Sequence, residues 1–298
     1  MKARLFTLAT GGATFLAVAM VFVILGNIVW HGIGQISPHF VFGGTKEGMF
    51  DAATAGVFPM IFGTLALVLL MTLGVVPVGV TTAVYLNEYA RSHSPVTRVI
   101  RGAINNLAGV PSIVFGLFGL GFFVQFVGGG LDNMFYGGQL HYRKPALIWA
   151  SATMAVMTLP VVIVATEEAL KAVPKGLREA SLALGATKLE TIWKIVLPEA
   201  LPGVITGAIL AIGRGAGEVA PIMFTGAAYY LAHLPTNWTD QFMHLGYHVF
   251  VLSTQSPDIE RTKPILYGSV LVLLAVTFLL NLAGVLVRAR IRSRMRHG

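Results

Sequence analysis

Cysteine is absent from the 298 residues. No disulfide, thiolate metal site or cysteine nucleophile can be built, and compartment is left open. Charge is scarce: Asp, Glu, Lys and Arg make up 11% of the chain, against about 25% in ordinary soluble domains. A soluble protein of this size could not cover its surface with so few charges. The dipeptide Gly-Lys does not occur. The phosphate-cradling loop Gly-x-x-x-x-Gly-Lys-Ser/Thr is therefore excluded, and any energy from nucleotide hydrolysis must come from another chain. The apolar segments also lack a nucleophile–base pair or a set of metal ligands, so neither catalytic residues nor a metal centre are expected.

What is present is apolar: 55% of residues are hydrophobic, and mean hydropathy is +0.74. These residues come in runs that suit a bilayer, where a spanning helix needs roughly 20 of them. Six segments qualify: Ala13–Trp30, Ile61–Tyr85, Ile104–Val127, Ala146–Thr166, Leu201–Met223 and Ile265–Val287. Lys2 and Arg4 precede the first as in a signal peptide, but Trp30-His31-Gly32 is not a small-x-small cleavage site. An uncleaved anchor is expected.

The net charge of +8 does not point to nucleic acid, because the basic residues flank apolar spans and suit membrane lipid. With the N-terminus inside, the inner segments hold fifteen of them: Lys2, Arg4, Arg91, Arg98, Arg101, Lys171, Lys175, Arg178, Lys188, Lys194, and the tail arginines 288, 290, 292, 294 and 296. The outer segments hold five: Lys46, Arg143, Lys144, Arg261 and Lys263. This asymmetry predicts an all-α polytopic membrane protein with both termini cytoplasmic. Residues 1–59 would form a first helix and external loop, 60–287 the core, and 288–298 a basic tail. The long external stretch Phe224–Pro264 carries Tyr229, Tyr230, Trp238 and Tyr247, suited to an interfacial belt or a docking surface.

The inner loop between spans four and five is the most informative stretch. Pro174 and Gly176 punctuate its start, and Leu177, Ala180 and Leu184 recur at helical spacing. Gly185 is placed to cap that short helix in a left-handed conformation. Thr187 and Glu190 have capping-box spacing, so a second short helix begins there. Pro198 and Pro202 are expected to end it and open span five. Glu179-Ala180-Ser181, Gly185, Ile195 and Leu197-Pro198 resemble the EAA loop of ABC-importer permeases, with Ser181 in place of the second Ala. The resemblance implies a type I importer permease fold. It also implies that the loop docks on a cytoplasmic ATPase, with Glu179 as a polar contact and Gly185 as the turn.

Span five holds Arg214, and Glu218 follows four residues later. An Arg inside a span costs at least about 2.5–3.5 kcal/mol on insertion scales. Two readings stand. The pair is structural, each neutralising the other, or Arg214 offers its planar fork to an anion on a transport pathway. Ser112, beside Pro111 at the start of span three, either bonds a passing oxyanion or satisfies nearby backbone. The stretches "AIGRGAGEVAP", "TLGVVPVGVTTAVYLNEYA" and "NNLAGVPSIVFGLFGLG" are similar to those of the phosphate-specific (Pst) permeases, most of all the A subunit of their pair. With the EAA loop the likeness covers roughly residues 60–285. Gly215 and Val219 depart mildly from that pattern. The resemblance implies phosphate import across a bacterial inner membrane. It further implies three partners: a second permease, an ATPase dimer binding ATP and magnesium, and an extracytoplasmic phosphate-binding protein. A different anion such as sulfate or phosphonate, or a stand-alone transporter or channel, is the alternative.

Two further clusters invite structural readings. His244 and His248 are spaced i, i+4 like half a zinc site, but no third ligand is near, and a surface helix is expected. Glu167 and Glu168, with Lys171, read as a solvated helix end.

Overall fold

The computed structural model describes residues 2–45, 50–91 and 94–297. Lys46, assigned above to the outer side, lies outside them. Among the described residues six helical stretches are long and apolar enough to cross a membrane: Phe6–Gln35, Phe58–Tyr89, Ser112–Phe135, Leu147–Ala172, Lys188–Gly215 and Ile259–Ser293. With all six crossing, the first and last described helices have their outer ends on one side, the terminal face. The other is the far face.

Span one is α1 (Lys2–Gly32), followed by the short α2 (Pro38–Phe42). Span two is α3 (Phe58–Val84), which widens into a π-helical turn at Tyr85–Tyr89. An amphipathic helix, α4 (Pro95–Ala108), starts at the terminal face, where Ile100 and Ile104 pack on the cluster of Leu86 and Leu170, and runs inward until Leu107 packs on the core cluster of Met71 and Met154. Span three is α5 (Ser112–Gly119), a π-helical stretch Leu120–Gly128 and α6 (Gly129–Phe135). Span four is α7 (Leu147–Ala172). The terminal-face elbow holds α8 (Lys175–Ala183) and α9 (Lys188–Thr191). Span five continues from α9 through a π-helical turn Ile192–Val196 into α10 (Leu197–Gly215). The far face adds α11 (Ala220–Thr225) and α12 (Leu245–Thr254), and span six is α13 (Ile259–His297).

The core is built around α7. Ala150, Met154, Met157, Val162 and Thr158 on it are fully or almost fully buried. Burial in lipid gains little from water exclusion, so close packing of small residues holds the bundle. A Cβ added at Gly203 would stand 2.3 Å from the Ala169 Cβ, and one at Gly207 2.9 Å from the Ala165 Cβ. These pairs, four residues apart on both helices, bring α10 against α7. By contrast α1 buries none of its span, leaving its apolar surface for lipid or another chain.

The third and fifth spans depart furthest from the sequence expectation, while the first, fourth and sixth run five to seven residues longer at one or both ends. Span three starts at Ser112 rather than Ile104. Asn105 and Asn106 fall in α4, and Pro111 disfavours helix at the residue before it. Span five runs from Lys188 to Gly215, not Leu201 to Met223. Pro198 does not end the second short helix. It sits in the first turn of α10 directly after the π-helical turn, where the changed register absorbs its missing N–H. The far end of span five breaks earlier than expected, at Ala216–Val219, between two glycines and Pro221.

The far face is tied down by carboxylates. Asp132 accepts backbone N–H groups of His141, Tyr142 and Arg143 at 3.1, 2.7 and 2.8 Å, folding the following loop over span three. Asp240 accepts from the backbone of Asn237 and Thr236 at 2.9 and 3.0 Å. Those bonds, led by Asn237, hold its carboxyl below the usual range against the opposing effect of desolvation.

Candidate functional site

Two groups of residues with chemical capacity lie at opposite ends of span five. From Leu197 to Arg214 is seventeen residues, about 26 Å at 1.5 Å per residue.

At the far end, Arg214 occupies the last turn of α10, where a cation also suits the helix dipole. Its Nε donates to Glu218 Oε1 at 3.2 Å, across the break in the helix. The two side chains are 38% and 22% exposed. The terminal guanidinium nitrogens have no hydrogen-bond partner among the described residues. This is a fork with one tine engaged and the remainder open. Ser112 opens α5, the helix that packs against α11 just after this break. Gly116, one turn further along α5, packs so closely that a Cβ would meet Ala220 O at 2.7 Å. Ser112 is partly exposed, and its N–H belongs to the first turn of α5, where backbone donors lack intrahelical partners.

At the terminal end, the elbow is shaped by local chemistry. Thr187 Oγ1 accepts from Glu190 N at 3.2 Å, and Glu190 Oε2 accepts from Thr187 N at 3.0 Å, so the capping box is complete. Gly185 has φ +88° and nothing within 4 Å of a Cβ built on it. The constraint there is backbone conformation, not space. Ser181 Oγ lies 2.9 Å from Thr191 Oγ1, which fixes α8 against α9. Glu179 and Ala180 face outward, and Pro198 is exposed while Leu197 is partly so. Around them Leu184 is 89% exposed and Trp193 60%. An exposed apolar patch rimmed by charge suits contact with a protein or a membrane surface.

Two expectations are corrected here. Glu167 is not a solvated helix end: it is buried, 3.2 Å from Arg101 and 3.7 Å from Lys171. Glu168 and Lys171 are exposed, as expected. His244 and His248 are not on a surface helix. Both are buried where α12 packs into the far-face core. His244 Nδ1 accepts from Gly246 N and Tyr247 N at 3.1 and 3.4 Å, making it the N-cap of α12. Burial pushes the two imidazoles down to about 3 and about 4 respectively, so both stay neutral near pH 7. No group of three metal-ligating side chains occurs among the described residues.

Sequence reasoning missed Glu88 and its partner Arg178, 3.0 Å apart, and Arg101 beside Glu167. Each pair joins different elements, and spacing along the chain gives no sign of it.

Six apolar helices, an exposed elbow between the fourth and fifth, and an open guanidinium where span five breaks suit a membrane permease subunit. The comparisons agree: residues 75–297 match the family of binding-protein-dependent transport system inner membrane components, and the chain belongs to that family. It is 36% identical over 221 residues to the probable ABC transporter permease protein YqgI of Bacillus subtilis, covering 73% of this chain and 69% of that one. Over 279 residues it is 30% identical to the probable phosphate transport system permease protein PstA of Methanocaldococcus jannaschii, covering 93% and 90%. Phosphate transport system permease protein PstA 1 of Mycobacterium tuberculosis is 34% identical over 235 residues, covering 78% and 70%. In structure the chain resembles a bacterial alginate ABC transporter chain at a TM-score of 0.65, with 15% identity and coverage of 95% and 94%. A chain of the inward-facing methionine ABC transporter MetNI gives 0.55, with 20% identity and coverage of 79% and 94%. These two likenesses concern the fold alone.

Proposed function

We propose that this chain is one of two permease subunits of an ATP-driven importer of inorganic phosphate in the bacterial inner membrane. Its terminal face is then cytoplasmic. The observation that carries the reading is the open guanidinium of Arg214, free at its terminal nitrogens on a stretch of α10, residues 200–215, that holds no other charge. Bare exposure of an Arg to hydrocarbon is costly, so this face of α10 suits a watered pathway or a partner subunit better than lipid. A planar fork takes two oxygens of a tetrahedral oxyanion at once. Ser112, at the opening of α5, adds a hydroxyl and backbone donors nearby, and Glu218 orients the fork. The names of the phosphate permease relatives narrow the anion to phosphate.

In this reading the elbow meets the ATPase, which binds ATP and magnesium. Glu179, Ala180, Ser181 and Gly185 form the contact and its turn. Leu197 and Pro198 carry its movement into span five. An extracytoplasmic binding protein would deliver phosphate to the far face, and the chain itself performs no hydrolysis. Residues 60–287 form the permease core, with 1–59 and the tail 288–298 attached to it.

The test is uptake into proteoliposomes holding the assembled complex and the binding protein. Radiolabelled phosphate should enter only with ATP inside the cytoplasmic-side compartment, and excess sulfate or phosphonate should compete at least about tenfold more weakly than phosphate. Equal competition by sulfate would reassign the substrate. Uptake without ATP would favour a stand-alone transporter.

A further inference from the structure

Three cations from three different elements converge on the last turn of span two. Arg178 on α8 pairs with Glu88 at 3.0 Å, and the two side chains are only 19% and 10% exposed. The same guanidinium donates to Leu170 O and Val173 O, both at 2.7 Å, at the end of span four. Lys188, the first residue of α9, donates to the backbone carbonyl of Glu88, and its ammonium lies 4.9 Å from the centre of the Tyr89 ring. Arg101 on α4 donates to Leu86 O at 3.1 Å and lies 3.2 Å from Glu167 on α7.

The turn they grip, Tyr85–Tyr89, is π-helical and ends its helix. Carbonyls at a helix C-terminus lack intrahelical partners and carry partial negative charge. Glu88 adds a full negative charge at the same place. The cations from α8, α9 and α4 therefore answer one electrostatic demand. The result fastens the elbow to spans two and four as well as to span five, which follows it in the chain.

We propose that this turn is the mechanical junction of the subunit, with Glu88 as its positioning residue. The elbow, the start of span five and the inner ends of spans two and four then move as one block. Arg178 divides its fork between Glu88 and carbonyls at the end of α7, so α8 cannot shift against either span without parting charge-assisted bonds between mostly buried side chains. Parting one member of such a group leaves a charge unpaired and is strongly unfavourable. This inference rests on the reading that the elbow docks on an ATPase, and it adds how docking would reach the spans that the elbow does not join in sequence.

The experiment uses the assembled complex in liposomes and reads phosphate moved per ATP hydrolysed. Glu88→Gln should lower that ratio by about fivefold or more while hydrolysis stays within roughly twofold of wild type. Glu88→Asp, which keeps the charge, should restore most of it. An unchanged ratio, or hydrolysis and uptake falling in proportion, would overturn the junction. A second arm does not depend on how well Glu88→Gln folds. Asn87 and Lys175 line one cleft beside the junction, and the chain has no cysteine of its own. Bridging Asn87→Cys to Lys175→Cys with a short thiol crosslinker should leave at least about half of the uptake, because a block that moves as one tolerates a tie across it. A loss of about tenfold that reduction reverses would show that the cleft must open, and would overturn the proposal. A wild-type complex with no ATP-driven uptake would remove the functional reading and this inference with it. Failure of the variants alone would remove only the junction.

Discussion

Arg214→Gln is expected to lower phosphate uptake roughly tenfold to a hundredfold with the complex present at normal levels. The size follows from a charge-assisted bidentate contact, worth about 1.5–3 kcal/mol. The competing reading is that Arg214 only neutralises Glu218, which its Nε meets at 3.2 Å. The double variant Arg214→Gln/Glu218→Gln separates the two. If the pair is purely structural, removing both charges leaves nothing unpaired and uptake recovers. If the fork holds the anion, the double variant stays as low as the single one. Arg214→Lys keeps the charge without the planar fork, so its uptake should fall between wild type and Arg214→Gln. Uptake of radiolabelled phosphate, with subunit amounts checked by blotting, gives all three answers.

The second large effect is expected at the elbow. Gly185→Val and Glu179→Lys should each reduce ATP-driven uptake at least about tenfold. The two act differently. Gly185 stands at φ +88° in open space, so valine meets no neighbour there. Its left-handed backbone costs an L-residue roughly 1–2 kcal/mol. The strain is relieved by re-aiming α8 relative to α9, not by unfolding the spans. Gly176 is the control, since it is also uncrowded but lies in the helical α8. Gly176→Ala should leave uptake near wild type. Glu179 is exposed, so its replacement by lysine spares the fold and reverses charge on the surface proposed to meet the ATPase. Co-purification of the ATPase should weaken with Glu179→Lys and persist with Gly176→Ala.

The features that were legible in the sequence are local ones. Gly185 as a left-handed cap and Thr187 with Glu190 as a capping box depend on residues within a few positions of one another, and the structure has both. All six spans were found because each concentrates apolar residues over more than the needed length. Boundaries went wrong where one residue type carries two meanings. Pro198 reads as a stop, yet it follows a π-helical turn that accommodates it. Pro111 sits inside an apolar-looking stretch, yet it separates α4 from span three. His248 reads as part of a surface helix because it falls in a long external stretch, but α12 turns that face into the core. The Glu88–Arg178 pair spans ninety positions, and no periodicity announces a contact made only when four helix ends meet.

The central claim is that the elbow between spans four and five faces the cytoplasm and touches a nucleotide-hydrolysing partner. Leu184, 89% exposed at its tip, gives the most direct measurement. In a chain without other cysteines, Leu184→Cys should react with a membrane-impermeant maleimide in inside-out vesicles and stay protected in right-side-out ones. In the assembled complex a short crosslinker should join it to the ATPase. Labelling from the outside, or a crosslink to no ATPase in an intact complex, would contradict the account.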